Sequence, residues 1–238
     1  RDVETLNAWC AQITELGYVA VDTETTSLDE MRAELVGISL ATAPGVAAYI
    51  PIAHKDGAAD DLFATESLVE NQLTMEQVFD RLGPILTDPA ILKIGQNIKY
   101  DAKIFANLGQ DIAPFDDTML LSYALHGGLH GHGMDTLSDR YLNHTPIPIK
   151  ELLGSGKSAI TFDRVPIDQA TPYAAEDADI TLRLWQLFKP QLHQASVTTV
   201  YETMERSLVP VLAKMECAGV LVDRDTLSLM SNAFAQKM

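Results

Sequence analysis

At 238 residues with 47% hydrophobic side chains, the chain can bury a sizeable core, which excludes an intrinsically disordered segment. A formal net charge of −16 excludes a protein that coats duplex DNA through a broad basic face, because such binding rests on phosphate neutralisation by Lys and Arg. Two cysteines, Cys10 and Cys217, exclude a disulfide framework and a CxxC site, and no apolar run reaches the ~18 to 20 residues of a membrane span. With no signal-like segment, these features read as a soluble cytoplasmic protein with reduced thiols, and a chain starting at Arg1 reads as a piece of something larger or processed.

Residues 5–16 carry helical apolar spacing that stops at Gly17, and 18–21 alternate as a strand does. A second strand is expected over 35–41, a turn at Pro44-Gly45 and a third strand over 46–52, together an antiparallel meander. Residues 54–72 are polar and acidic and read as a surface loop with a short helix. Helix 75–86, strand 91–94 and helix 98–108, stopped by Gly109, follow. From Asp116 onward the pattern is helical, broken at 127–133 and 145–149, with one helix starting at Thr171-Pro172 and ending near Pro190. Early strands followed by many helices predict an α/β fold, a mixed β-sheet flanked by helices.

Acids stand where core residues are expected. Asp22 and Glu24 are two apart on a strand and so share a face, while Val19, Val21 and Thr23 take the other. Asp101 falls in the apolar sector of helix 98–108 with Ile98, Phe105 and Leu108. Tyr173 and Asp177 belong to a stripe with Ile180, Leu184 and Leu187, whereas Glu176 and Asp179 project elsewhere and read as solvated or weakly paired. Four inward carboxylates with few inward Lys or Arg partners call for cations. Hard oxygen donors without His or thiolate favour Mg²⁺ or Mn²⁺, and two such ions suit in-line displacement at phosphorus.

Three segments, VDTETTSLD, GQNIKYD and YAAEDAD, resemble the three exonuclease motifs of the DEDD (DnaQ-like) superfamily in its tyrosine-type subgroup. LVGISLATAPGVAAYIPIAH and LVPVLAKMECAGVLVD resemble bacterial family-A polymerases, the DNA polymerase I group, so the likeness spans nearly the whole chain. The histidine-type subgroup would place His at the position of Pro172, which leaves Tyr173 as the partner. The resemblance implies a ribonuclease-H-like fold over 1–200, the helical start of a truncated polymerase domain over 201–238, and a 3′→5′ proofreading exonuclease of the bacterial nucleoid. It implies two divalent cations on Asp22, Glu24, Asp101 and Asp177, with Asp22 bridging, and Tyr173 and Glu24 orienting the attacking water. It also implies that Thr25, Leu28, Gln96, Asn97 and Tyr100 contact the 3′ end of single-stranded DNA, Leu28 as a wedge. On spacing alone Leu28 and Tyr100 equally suit a core. The chain departs from the family in the Gly/His stretch GLHGHGMDTL and at Ile149, where related polymerases place a basic residue and an aromatic.

Other patterns carry less. GSGKS has Glu151 where a phosphate loop needs glycine, and His126, His130 and His132 lack structural-zinc spacing and read as part of a mobile loop. Ser27 and Ala33 rule out a calcium loop after Asp22, and NHT at Asn143 matches a glycosylation sequon, irrelevant in a cytoplasmic protein. Two alternatives to a DNA exonuclease are an RNase D-type exoribonuclease and a non-catalytic end-binding or scaffolding module.

Overall fold

The computed structural model describes residues 2–56, 67–156 and 159–237. Helix α1 (Val3–Leu16) starts at Asp2, whose carboxylate accepts the Thr5 N–H at 2.7 Å, and stops at Gly17 in the left-handed region (φ 74°). Strands β1 (Tyr18–Thr25), β2 (Leu35–Ala43) and β3 (Val46–Pro51) form the expected meander, followed by a two-residue pairing of β4 (Lys55–Asp56) with β5 (Ser67–Leu68). Next come α2 (Met75–Thr87), opened by a Thr74/Gln77 capping box, β6 (Leu92–Gly95), α3 (Ile98–Asn107), β7 (Phe115–Asp117) and α4 (Thr118–His126). Short α5 (Met134–Leu137) and α6 (Ile149–Leu153) precede α7 (Ile167–Phe188), α8 (Gln191–Gln194), α9 (Arg206–Ala218) and α10 (Arg224–Ala235). A π-helical stretch, Val200–Glu205, leads into α9.

The main sheet has the order β3-β2-β1-β6-β7, antiparallel on the β1–β3 side and parallel from β1 through β6 to β7. Its two faces follow from the period of two along β1. Val19 and Val21, with Leu40 opposite Val21 and Ile38 opposite Thr23 on β2, pack under α1, α2 and α3. On the other face Ala20, Ala41, Ala178 and Leu182 let α7 lie close against the sheet. A second core joins Leu121, Leu137, Ile180, Leu184, Phe188 and Tyr201, tying α4 and α7 to the stretch before α9.

Several expectations need correction. β7 escapes a pattern-based reading because Phe115–Asp117 is short and two of its three residues are acids. Helix α7 begins at Ile167 after Pro166, so Pro172 lies inside it. Thr171 is no cap: its hydroxyl donates to Ile167 O at 2.6 Å, and one missing N–H is absorbed by a helix of this length packed on the sheet. Leu108 is 39% exposed and outside the core stripe of α3. Part of the loop read over 54–72 lies at 57–66, outside the described residues, and its described parts hold strand pairing rather than a helix. His54 within it is fully buried, its Nε2 2.7 Å from the Tyr49 hydroxyl and its Nδ1 2.9 Å from Val165 O. Lys157 and Ser158 of GSGKS also lie outside the described residues. Phe162–Arg164 turns as a 3₁₀ helix. The His stretch is a packed aromatic cluster: His126 stacks on Tyr141 at 5.2 Å between ring centroids, and His130 lies 5.2 Å from His132.

Candidate active site

β1 runs toward its C-terminal end between β2 and β6, but β6 pairs with it only as far as Ala20. Beyond that point the edge of β1 is free, and α3 fills the space. Asp101 on α3 satisfies this edge, its Oδ1 accepting the Thr23 N–H at 3.1 Å and the Thr23 hydroxyl at 2.6 Å. Asp22 and Glu24 leave the opposite face, toward α7, where the shared register sets Asp22 against Ser39 and Glu24 against Gly37. From α7 Asp177 points down at them, one turn from Tyr173.

Asp22, Glu24 and Asp177 each offer a carboxylate oxygen, and the three oxygens lie within 4.8 Å of one another. Asp101 stands outside this tight set, anchored on Thr23, yet its charge still acts on Glu24. Burial and mutual repulsion dominate the protonation of the cluster. Burial pushes the Asp22 carboxyl up to about 7. Glu24 is held well above the carboxylate range by burial and then by Asp22, Asp177 and Asp101. Burial, then the Asp22 charge, likewise raises Asp101 and Asp177. The Tyr173 phenol is pushed up by burial and then by Asp177, Glu24 and Asp22, so it stays protonated at neutral pH.

The donor set fits a divalent cation. It is all oxygen, it is acidic, and Glu24 Oε1 is buried with no hydrogen-bond partner among the described residues, a cost that a cation would remove. Nothing in the set suits zinc or copper over magnesium or manganese.

These side chains open into a cleft of about 360 Å³ lined by Asp22 to Leu28, Tyr100, Ile149, Leu153, Phe162, Tyr173 and Asp177 among others. The loop after β1 forms one lip. It closes through Thr26 N–H on Glu34 O (3.0 Å), and Leu28 at its tip is 93% exposed, which removes the core reading of that residue. The Tyr100 hydroxyl lies 2.6 Å from Ser27 O and 2.5 Å from Thr25 Oγ1, pinning the loop to α3. Gln96 and Asn97 do not line the cleft. The Gln96 amide donates to His132 O at 2.8 Å and accepts from the Thr118 hydroxyl, and Asn97 is exposed in the left-handed region (φ 59°).

Supporting residues escaped the sequence reading. Asp117 caps α4 through Met119 N–H and also accepts the N–H groups of Asn97 (3.0 Å) and Ile98 (3.1 Å), fixing the start of α3. Its one signal was an Asp before the apolar run 118–125, an N-cap pattern. Glu176 and Asp179 are not merely solvated: Glu176 accepts the Ile147 N–H at 2.6 Å, and Asp179 accepts the Gly45 N–H at 2.6 Å.

A mixed sheet with an acid cluster at the end of its central strand defines the class, a ribonuclease-H-like nuclease fold. It is shared with Brucella melitensis NrnC with bound Mg²⁺ (TM-score 0.64, 21% identity, 87% of this chain and 88% of that one). Escherichia coli RNase D shares it too (TM-score 0.62, 19% identity, 89% and 49%). A family model described as 3′-5′ exonuclease matches residues 1–193, and the chain belongs to that family, the 3′-5′ exonuclease domains of DNA polymerase I. DNA polymerase I of Rhizobium leguminosarum is 51% identical over 99% of this chain, and that of Pseudomonas aeruginosa 41% over 100%. The chain spans about a quarter of the length of these relatives, 24% and 25%.

Proposed function

We propose that the chain is a metal-dependent exonuclease that removes nucleotides one at a time from the 3′ end of single-stranded or frayed DNA, releasing nucleoside 5′-monophosphates, as the proofreading part of a longer polymerase. Residues 201–238 are then the helical start of the polymerase part. The observation that carries this reading is the convergence of Asp22, Glu24 and Asp177 at one point of a cleft whose lip presents Leu28.

Asp22, Glu24 and Asp177 would hold one Mg²⁺ or Mn²⁺, and Asp22 with Asp101 would support a second. Bound there, the cations supply charge neutralisation, a lowered water pKa and stabilisation of the leaving oxygen. The protein's own groups do the rest. Tyr173 keeps its proton and so serves as a hydrogen-bond donor that orients the attacking water, with Glu24 accepting from it. Leu28 and Tyr100, an apolar tip and a half-buried ring, separate and support the terminal bases, a mode tolerant of sequence. Thr25, held against Tyr100, positions the end of the strand.

The relationship to DNA polymerase I at 51% identity favours DNA over an RNase D-type substrate, and the intact carboxylate set argues against a scaffolding module. The test is a 5′-labelled single-stranded oligodeoxynucleotide incubated with Mg²⁺ or Mn²⁺. The expected product is a ladder shrinking from the 3′ end, abolished by EDTA and by Asp22→Ala. An oligonucleotide left intact with every metal would overturn the reading, and faster trimming of an RNA of the same sequence would move it to the ribonuclease alternative.

A further inference from the structure

The family match stops at residue 193, yet the chain beyond it grips the helix that carries Tyr100 and Asp101. The first grip is at the start of α3. Tyr201 is fully buried, and its hydroxyl donates to Asp116 Oδ1 and accepts the Asp117 N–H, both at 2.9 Å. The Asp117 carboxylate in turn takes the N–H groups of Asn97 and Ile98. The second grip runs along the flank. Glu216 on α9 pairs with Lys99 at 2.5 Å and with Lys103. Lys103 also pairs with Glu30 in the loop that presents Leu28, and Asn107 Nδ2 donates to Glu30 O at 2.9 Å. Between the grips Val209 of α9 is buried in the same core as Ile104 and Phe105 of α3.

Exposed ion pairs contribute little, but the Lys103 side chain is 3% exposed. An ammonium packed this closely is held by its two carboxylates, Glu216 and Glu30, and removing Glu216 leaves Glu30 alone to hold it, which loosens the tie between α9, α3 and the loop. The Tyr201 hydroxyl is equally committed, since its two partners are buried with it.

We propose that Tyr201 and Glu216 are positioning residues of the exonuclease site. Acting through Asp117 and Lys103, they fix α3 and the loop 26–34 relative to Asp22 and Glu24. The site is then incomplete at residue 193, and the segment leading into α9 belongs to it mechanically. This rests on the reading above, in which Asp101 serves the cations and Leu28 and Tyr100 the strand end.

The test uses the full chain and three readouts: amide hydrogen exchange, Mn²⁺ titration followed by thermal shift, and steady-state hydrolysis of a single-stranded oligonucleotide. Tyr201→Phe keeps the ring and deletes both hydrogen bonds, so exchange at the start of α3 should quicken and Mn²⁺ affinity should fall about tenfold, as for other groups that orient metal ligands. Glu216→Gln, at a half-exposed side chain that leaves the core intact, should quicken exchange over 26–34. It should also raise KM about threefold with kcat little changed, the mark of lost binding shared by ground and transition state. Lys103→Met should reproduce that pattern, and Lys103→Arg should restore it. An active parent whose Tyr201→Phe and Glu216→Gln variants show unchanged exchange, or quickened exchange with unchanged kinetics and metal affinity, overturns the coupling alone. An inactive parent overturns the exonuclease reading and this inference with it.

Discussion

Asp22, Glu24 and Asp177 make the metal-free site a source of instability. All three have folded-state pKa values raised above those of the unfolded chain, Asp22 to about 7. For an acid raised in this way the folded state holds the extra proton, so stability is present below the unfolded pKa and is lost as pH climbs through the folded one. In EDTA the melting temperature should therefore fall between pH 5 and pH 8, by an amount reflecting on the order of a few kcal/mol. Mn²⁺ should flatten that slope by favouring the ionised forms. Asp177→Asn should raise the melting temperature at pH 8 in EDTA while abolishing hydrolysis. A melting curve that rises with pH in EDTA would refute this account of the cluster. Tyr173 gives a second prediction at this scale. Its phenol is raised, so it does not titrate near neutrality, and Tyr173→Phe should lower kcat by about ten- to a hundredfold through lost orientation. The shape of the pH–rate profile between pH 6 and 9 should not change; a lost basic limb in the variant would assign the phenol an acid–base role instead.

At the scale of elements, what the sequence disclosed was phase and what it concealed was distance. The spacing of Asp22 and Glu24 on β1, and the helical phase of Asp101 and Asp177, were legible because local periodicity alone assigns a side chain to a face. Thr23 as the anchor of Asp101, and Asp117 as the brace of α3, were not, because their partners come from other elements. The start of α7 misled because Thr171-Pro172 matches a genuine cap signal, overridden by packing from Ile167 onward. Gly37 is another silent position. It stands opposite Glu24, and a Cβ there would lie 2.2 Å from the Tyr49 hydroxyl, whose ring occupies the room the glycine leaves and whose oxygen meets His54. Gly37→Ala should cost about 1–3 kcal/mol, read from chemical denaturation, as overpacking of a core without free volume does. It should also lower Mn²⁺ affinity if the displaced ring disturbs Glu24, whose charge acts on the Tyr49 phenol. An unperturbed variant would show that the Tyr49 ring has somewhere else to go.

For the molecule as a whole, charge is what distinguishes this chain from most proteins that handle nucleic acid. It carries 17 Lys and Arg against 33 Asp and Glu, and much of the basic minority is already committed. Lys93 is fully buried, its ammonium surrounded by the carbonyl oxygens of Ile85, Asp88, Ile91 and Ala113 at 2.6 to 3.2 Å. Lys99 and Lys103 serve Glu216, while Lys189 and Arg206 converge on Asp116. Among the described residues no Lys or Arg lines the cleft. If DNA is the substrate, recognition of its end then rests on cations, stacking and the Leu28 tip rather than on phosphate neutralisation along the strand. A protein making six to ten phosphate contacts loses about 10³- to 10⁵-fold in affinity between 50 and 200 mM salt, whereas one or two contacts cost less than about tenfold. The KM for a single-stranded oligonucleotide should accordingly rise by less than about tenfold over that range at constant Mg²⁺. Long-range repulsion between the acidic surface and the strand is screened over the same interval and works in the opposite direction. A steep loss with added salt would mean that a basic path exists outside the cleft, and would move the search for the strand's route away from Leu28 and Tyr100.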